Sequence, residues 1–543
     1  MPTESSTVAD IVVQRLCDAG VLALFGMPGG GSNLDLIDAA GRAGVPFVLT
    51  ATETGAAIAA LAQAEITGRP AACLTTLGPG VASVVNGVAC ASLDRAPLLV
   101  FTDCYPSSAN AFAHQRFDHR ALLAPVTKWS ATLSAAEADA VMIEAVERAL
   151  TGPSGPVHID MASDVISVIG RRSAVISRWS SVDQSQSSVG RTTHDSGLTA
   201  EHWRQVTEST RPLLLVGLGA RAAADTAAIR AFCREHAVPA MVTYKAKGVI
   251  PDDDPHFAGV FTNAAIERPI LNQADLLIGV GLDPVELLPR PWTHRQPIVS
   301  INSWRVDEAH VPFAAQFVGD IAAGLDAVGG RLSNLEWNLS SVGEEVASQR
   351  RLLDTSRGGF TPDHVVRIAA QAARGVRVTL DAGAHMLPAT VLWPVAEPHG
   401  MLVSNGLSTM GFALPAAIGA ALLERDRPVI ALTGDGGLLI CAGELLTATR
   451  EGLRVITVVF NDASLSLIAV KQQERNLTPA GVALGEVAWC ALAESLGVSA
   501  HFASTEAELE GALRDALSRT GPSLIEARVD PSPYGEILRA IRG

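Results

Sequence analysis

The sequence predicts an α/β protein built from three doubly wound parallel-sheet domains. Three observations carry this. Short apolar runs closed off by Pro or Gly recur along the chain, as strands buried on both faces do. Helical stretches alternate with them, which is the mark of βα repeats and a parallel sheet. Two polar stretches, 172–197 and about 332–360, interrupt the alternation. They divide the 543 residues into units at 1–170, 195–331 and 360–543, each of ordinary domain size.

In the first unit, residues 8–20 carry apolar side chains at helical spacing, and 46–50, 71–75, 97–101 and 156–160 read as buried strands. A second helical run, 56–66, follows Glu53. Residues 172–197 are rich in Ser and Gln and read as a surface linker. The second unit opens with a strand at 212–216 that runs into a Gly turn, and has another at 274–281. The third has strands at 376–381, 428–433 and 454–460. No internal repeat is visible at the level of residues.

Composition narrows the function. Hydrophobic residues make up 48% and charged residues 18%, enough for large cores. Aromatics are few and Ala and Gly abundant, which suits close helix–sheet packing. The net charge of −15 argues against nucleic acid and against an anionic membrane surface as partners. Seven cysteines, at 17, 73, 90, 104, 233, 441 and 490, include no CxxC. Neither a zinc site nor a disulfide framework is signalled, and reduced thiols in a cytoplasmic protein are expected. The first 18 residues lack the basic flank and apolar core of a signal peptide. No uncharged apolar run reaches the ~18 residues of a membrane span.

Gly434-Asp435-Gly436-Gly437 follows a strand directly. Glycines there let the backbone approach a phosphate, and the next helix offers its N-terminus to the anion. A carboxylate at such a turn can hold Mg²⁺ if a second oxygen ligand comes from elsewhere. Asn461-Asp462, at the end of the next strand, is placed to supply it. Alone, the glycine string is more often an ordinary βα turn, and the Asn-Asp pair at strand end is what favours a phosphate site. Met410, within 406–412, would alone be a core Met in an Ala/Gly-rich helix. Glu53 would alone be a favourable charge at a helix start. Gly217-Leu218-Gly219-Ala220-Arg221-Ala222 tempts a dinucleotide reading, but no acidic residue follows at the expected strand end.

Taken together and in this order, the strings at 52–55, 406–412, 434–436 and 461–462 resemble thiamine-diphosphate enzymes of the acetolactate synthase and 2-oxo-acid decarboxylase superfamily. Benzaldehyde lyase and benzoylformate decarboxylase are similar. The resemblance implies an N-terminal pyrimidine-binding domain, a central domain and a C-terminal diphosphate-binding domain. It implies thiamine diphosphate and Mg²⁺ as cofactors. Glu53 would share a proton with the aminopyrimidine ring, and Met410 would support the bend of the cofactor. Asp435, Asp462 and the main-chain carbonyl of Ser464 would ligate Mg²⁺. Asp462 departs from the usual Asn, adding a charge but keeping an oxygen ligand. Thr76, Asn86, Ser408, Gly434, Gly436, Gly437, Leu465, Ser466 and Leu467 would line the cofactor.

By the same resemblance Gly30, Gln115 and His114 would face the reacting carbon. Gly30 lies in the loop 25–32. Gln115 falls on the Gln that acetolactate synthases and benzaldehyde lyase place near substrate. His114 replaces a Phe and is equally readable as an exposed loop residue. Lys471 stands where acetolactate synthases carry a Trp, and either binds an acidic substrate group or points into solvent. The Arg-Phe-Asp-Asp string of FAD-containing acetolactate synthases is missing from 281–292, so no FAD is expected. The implied activity is 2-oxo acid decarboxylation and carboligation through ylid and enamine. A C–C lyase of the benzaldehyde lyase or 2-hydroxyacyl-CoA lyase type, or a simple decarboxylase, is the near alternative. An FAD-containing oxidase, an NAD oxidoreductase and a non-catalytic paralogue follow. The substrate would be a 2-oxo acid or hydroxy-ketone. The protein would be a homodimer or homotetramer, with sites between the first domain of one subunit and the third of another.

Overall fold

The computed structural model describes residues 6–106, 108–110, 112–170, 199–307, 309–355 and 359–543. The linker expected at 172–197 lies outside the described residues. Three six-stranded sheets, parallel throughout, are flanked by helices.

The first sheet comprises β1 (Leu24–Met27), β2 (Phe47–Leu49), β3 (Ala71–Thr75), β4 (Leu98–Cys104), β5 (Trp129–Thr132) and β6 (Val157–Ala162), in the order β2-β1-β3-β4-β6-β5. The second comprises β7 (Pro212–Val216), β8 (Ala240–Val242), β9 (Phe257–Val260), β10 (Leu276–Val280), β11 (Ile298–Asn302) and β12 (Ala315–Val318), in the order β12-β11-β10-β7-β8-β9. The third comprises β13 (Arg377–Leu380), β14 (Met401–Val403), β15 (Val429–Gly434), β16 (Val455–Asn461), β17 (Ser499–Ala503) and β18 (Ser523–Arg528), in the order β14-β13-β15-β16-β18-β17. The first and third sheets therefore share one strand order, a repeat of topology with no counterpart at the level of residues.

The strands are apolar because they are covered on both faces: every residue of β3, β7 and β10 is buried. The Ala and Gly content serves the helices. Helix Glu53–Thr67 begins at Thr52, whose Oγ1 accepts the Gly55 N–H at 2.9 Å, and ends at Gly68 in the left-handed conformation, φ 65°. Residues 55–65 of this helix are all buried. It is wedged between the first sheet and helix Ala413–Leu423 of the third unit, in one shared core. The two helices cross so closely that a Cβ on Gly419 would lie 2.1 Å from the Ala59 carbonyl oxygen.

The polar stretch 332–360 is not simply a separator. It contains the helix Leu339–Arg351, which lays Val342 and Val346 onto the core of the second sheet. Among the described residues no helix is long and apolar enough to cross a membrane.

Candidate active site

The first set of motif residues gathers at the C-terminal ends of β1, β3 and β4. Glu53 opens its helix, and its carboxylate lies over the turn that follows β3. A Cβ on Gly80 would come 3.3 Å from Glu53 Oε1 and 2.2 Å from Thr75 Oγ1. The loop 29–31 presses against Thr76, where a Cβ on Gly29 would meet Thr76 Oγ1 at 2.2 Å. Gln115, itself at φ 64°, backs onto Gly78, whose Cβ would lie 2.6 Å from Gln115 Cβ. Glu53, Thr76 and Gln115 are thus brought together with the loop that carries Gly30. Gly30 faces open space, with nothing within 4 Å of a Cβ placed there. His114 is exposed, as Gln115 is, and Asn86 sits on the exposed face of helix Pro79–Leu93.

Buried acids and a histidine that sequence reasoning missed hold this cluster in shape. Asp103, at 2% exposure, accepts hydrogen bonds from the Ser32 hydroxyl and from the Asn33 N–H at 2.9 Å, which fixes the start of helix Ser32–Arg42. His119 Nδ1 lies 3.0 Å from Asp160, and His119 Nε2 accepts the Gly78 N–H at 3.3 Å. That assignment makes Nδ1 the protonated nitrogen. Burial alone would raise the Asp160 carboxyl. Hydrogen bonds from His119, His158 and Thr102 outweigh it and hold the group well below the usual carboxylate range. No local spacing joins His119 to Asp160, because the two are 41 residues apart.

The second set gathers beside β13, β15 and β16. Met410 and Leu465 meet over Gly436: a Cβ there would lie 2.7 Å from Leu465 Cδ2 and 3.2 Å from Met410 Cε. The turn that carries Met410 ends at Gly411, φ 77°, a conformation that favours glycine, and Ser408 within it is also left-handed, φ 53°. Asp381 holds the turn. Fully buried, it accepts the N–H groups of Gly411 and Phe412, both at 3.0 Å, and the Thr433 hydroxyl at 2.7 Å. It thereby joins the Met410 turn to the strand that ends at Gly434. Gly437 has no room for a side chain, since its Cβ would lie 2.1 Å from Asp381 Oδ2.

Asp435 and Asp462 stand together. Asp435 Oδ1 accepts the Gly436 N–H at 2.7 Å, and Oδ2 accepts the Asp462 N–H at 3.3 Å. Asp462 accepts the Ser464 N–H at 3.0 Å and the Ser466 hydroxyl at 2.7 Å. Burial pushes both carboxyls up, Asp462 to about 6, and the Asp435 charge adds to the rise at Asp462. Leu465 and Leu467 flank Ser466 at the start of helix Ser466–Glu474. Lys471 lies farther along that helix and lines a cleft of about 320 Å³ with Arg290, Glu474, Arg539 and Arg542.

Helix Pro79–Leu93 runs between the two sets. Gly80, near the start of helix Pro79–Leu93, neighbours Glu53, while Leu93 at its end packs on Gly406. Those ends are about 20 Å apart along the helix axis. Among the described residues no hydrogen bond joins Glu53, Thr76 or Gln115 to Met410, Asp435 or Asp462.

Comparison with known proteins assigns the three units. Residues 6–122 match the thiamine pyrophosphate enzyme N-terminal TPP binding domain, 200–328 the central domain and 381–527 the C-terminal TPP binding domain. The chain belongs to the acetolactate synthase-like superfamily of thiamine-diphosphate enzymes. It is 26% identical to the acetolactate synthase of Bacillus subtilis (strain 168), over 98% of this chain and 96% of that protein. It is 29% identical to the acetolactate synthase isozyme 1 large subunit of Escherichia coli (strain K12), over 96% and 94%. It is 28% identical to a probable 2-ketoarginine decarboxylase of Pseudomonas aeruginosa, over 97% and 95%. The protein is a thiamine-diphosphate-dependent enzyme of the carboligase and decarboxylase class.

The residues present fit thiamine diphosphate. His385 is 3% exposed, and its Nε2 has no hydrogen-bond partner. Its ring lies against Gly434, 3.3 Å from where a Cβ would be. Burial holds the imidazole down to about 4, so it is neutral at pH 7. The ring edge beside that turn is Cε1 and Nδ1; the space that suits the cofactor is over Gly436, where a Cβ would lie 2.7 Å from Leu465 Cδ2 and 3.2 Å from Met410 Cε. Sequence reasoning passed over His385, which lies between the strings that drew attention.

Proposed function

We propose that the protein is a Mg²⁺-dependent 2-oxo acid decarboxylase and carboligase. The observation that carries this reading is the meeting of Met410 and Leu465 over Gly436, beside the Asp435–Asp462 pair. Two adjacent carboxylates repel, and a divalent cation relieves that repulsion. Asp435, Asp462 and the Ser464 carbonyl would hold it, with Gly434, Gly436 and Gly437 leaving room for phosphates. Bound thiamine diphosphate supplies the electron sink for the pair released when a 2-oxo acid loses CO₂.

The chain's own residues do the rest. Glu53 shares a proton with the aminopyrimidine, flanked by the buried alanines of its helix. Met410 and Leu465 present an apolar floor that excludes water. Thr76 and Ser408 line the cofactor, and Gln115 offers its amide to a substrate oxygen. His114, Asn86, Gln115 and Ser408 are all exposed in the single chain, and a second subunit would cover them. Lys471, with three arginines around its cleft, supports an acceptor that carries a further negative charge.

The active form would be a homodimer or larger homo-oligomer. The first cluster of one subunit would face the second cluster of another. Leu439, Ile440 and Leu446, at 45%, 56% and 46% exposure, support it, because they offer an uncovered apolar surface just after the Gly434–Gly437 turn.

Products test the reading. The enzyme, Mg²⁺ and thiamine diphosphate are incubated with a 2-oxo acid, alone and with an aldehyde or second oxo acid, and the products are identified by NMR. A new C–C product is expected. Aldehyde alone would reduce the assignment to a decarboxylase. Cleavage of hydroxy-ketones with no CO₂ from any 2-oxo acid would replace it with a lyase.

A further inference from the structure

The second sheet has the strand order of a dinucleotide-binding fold. Its order reverses between β7 and β10, and in such sheets ligands bind in the crevice beyond the C-terminal ends of those two strands. The turn after β7 is Gly217-Leu218-Gly219, where a dinucleotide would bring its pyrophosphate against the backbone. The residue after β8 is Thr243, where the ribose hydroxyls would be read.

Both places are already taken by one side chain. Glu286, 3% exposed, reaches back from the segment that follows β10. Its Oε2 accepts the Leu218 N–H at 2.8 Å, and its Oε1 accepts the Thr243 hydroxyl. The carboxylate lies directly on the glycine turn, with Oε2 2.7 Å from where a Cβ on Gly217 would be. The Leu282 backbone crosses the same point, its Cα 2.5 Å from that Cβ position. Trp304 covers Gly219, with Cη2 2.8 Å from a Cβ there. The segment is itself pinned, since Asp283 pairs with Arg95 at 2.8 Å and Asn405 Nδ2 donates to the Glu286 carbonyl at 2.9 Å.

We propose that Glu286 is a built-in occupant of the dinucleotide seat, standing where a phosphate would be bound and closing the second sheet to phosphate-bearing dinucleotides such as FAD and NAD. A phosphate would need the Leu218 N–H that Glu286 holds, and would have to lie against a carboxylate. Burial raises the Glu286 carboxyl to about 7, against the hydrogen bonds from Thr243 and Leu218 that lower it. Charged or neutral, the side chain fills the seat. The same glycine turn that suggests a nucleotide site in the sequence is thus used for close packing, and a glutamate 69 residues beyond Gly217 decides between the two.

The experiment measures binding, not turnover, so its failure is separate from any failure of the catalytic reading. The full-length protein is denatured and its supernatant assayed for released flavin. The native protein is then titrated with FAD, NAD⁺ and ADP by calorimetry. Saturating thiamine diphosphate and Mg²⁺ are present, so that the third sheet's phosphate site does not report. The wild type is expected to release no flavin and to show no saturable binding. Glu286→Ala and Glu286→Ser, which remove the carboxylate and free the Leu218 N–H, are titrated alongside after a circular dichroism check. At least one is expected to gain saturable ADP binding, tenfold or more above the wild-type limit. Stoichiometric FAD, NAD⁺ or ADP binding by the wild type would overturn the proposal. So would folded variants that stay as blind to ADP as the wild type.

Discussion

The Glu444 carboxylate accepts the backbone N–H of Thr52 at 3.1 Å, across 392 residues of chain. It also accepts the Ala51 N–H at 3.1 Å and the Thr52 hydroxyl at 3.2 Å. The residue that caps the Glu53 helix is therefore held by the third unit of the same chain. Glu444→Ala leaves these donors without their acceptor at a site where Glu444 is 1% exposed. A loss of about 2 kcal/mol of stability is expected, together with a lower kcat. Denaturant unfolding and steady-state kinetics check both.

A second junction joins all three units. Lys245 Nζ contacts Glu65 at 2.6 Å, Asp94 at 3.3 Å and the Val403 carbonyl at 3.0 Å. Asp94 in turn accepts the N–H groups of Asn405 and Gly406, at the start of the Met410 string. Lys245→Met leaves buried Asp94 without its cation, while Glu65 keeps Arg221 at 2.9 Å, and should cost about 3–5 kcal/mol. Adding Asp94→Asn should recover part of the loss. A double-mutant cycle in urea reads the coupling.

Gly436→Ala tests the floor of the site without touching a charge. The new methyl meets Leu465 and Met410. These are flexible side-chain ends, so the fold should survive. Thiamine diphosphate should bind at least tenfold more weakly, as read by fluorescence titration. Gly437→Ala meets the Asp381 carboxylate instead and should lower Tm as well.

The Asp160–His119 pair makes a pH prediction. Asp160 is held below its unfolded value of about 3.9. Such a group stabilises the fold above its unfolded pKa, and that contribution is lost as pH falls through the folded one. The stability advantage of the wild type over Asp160→Asn should be full at neutral pH and shrink below about pH 4. An advantage that grew on acidification would contradict the assignment.

The fold was legible because parallel strands buried on both faces show as short apolar runs, such as 71–75 and 212–216. Helix Leu339–Arg351 was not, because it buries little more than Val342 and Val346 and is otherwise polar. The motif residues were legible wherever they cluster in sequence. The acids that hold them, Asp103, Asp381 and Glu444, were not, since each is a single residue whose partners are distant in the chain. Nothing local in the sequence shows that Asn86 and Gly87 lie within helix Pro79–Leu93. Gly87 is where two helices touch, its Cβ position 2.5 Å from Ala57 Cβ.

Sites shared between subunits predict complementation. Glu53→Gln and Asp435→Asn should each be nearly inactive as homo-oligomers. Mixed after dissociation and reassociation, they should regain about a quarter of wild-type activity, because half of the dimers are mixed and each has one intact site. No recovery in verified mixed dimers would place each site within one chain.

The most direct test of the catalytic account is CO₂ release from pyruvate, glyoxylate, oxaloacetate and benzoylformate, with and without Mg²⁺ and thiamine diphosphate. Glu53→Gln is run beside the wild type. The account predicts release from at least one acid that requires both cofactors and falls at least a hundredfold in the variant. Release that persists without thiamine diphosphate, or that Glu53→Gln leaves unchanged, would contradict it.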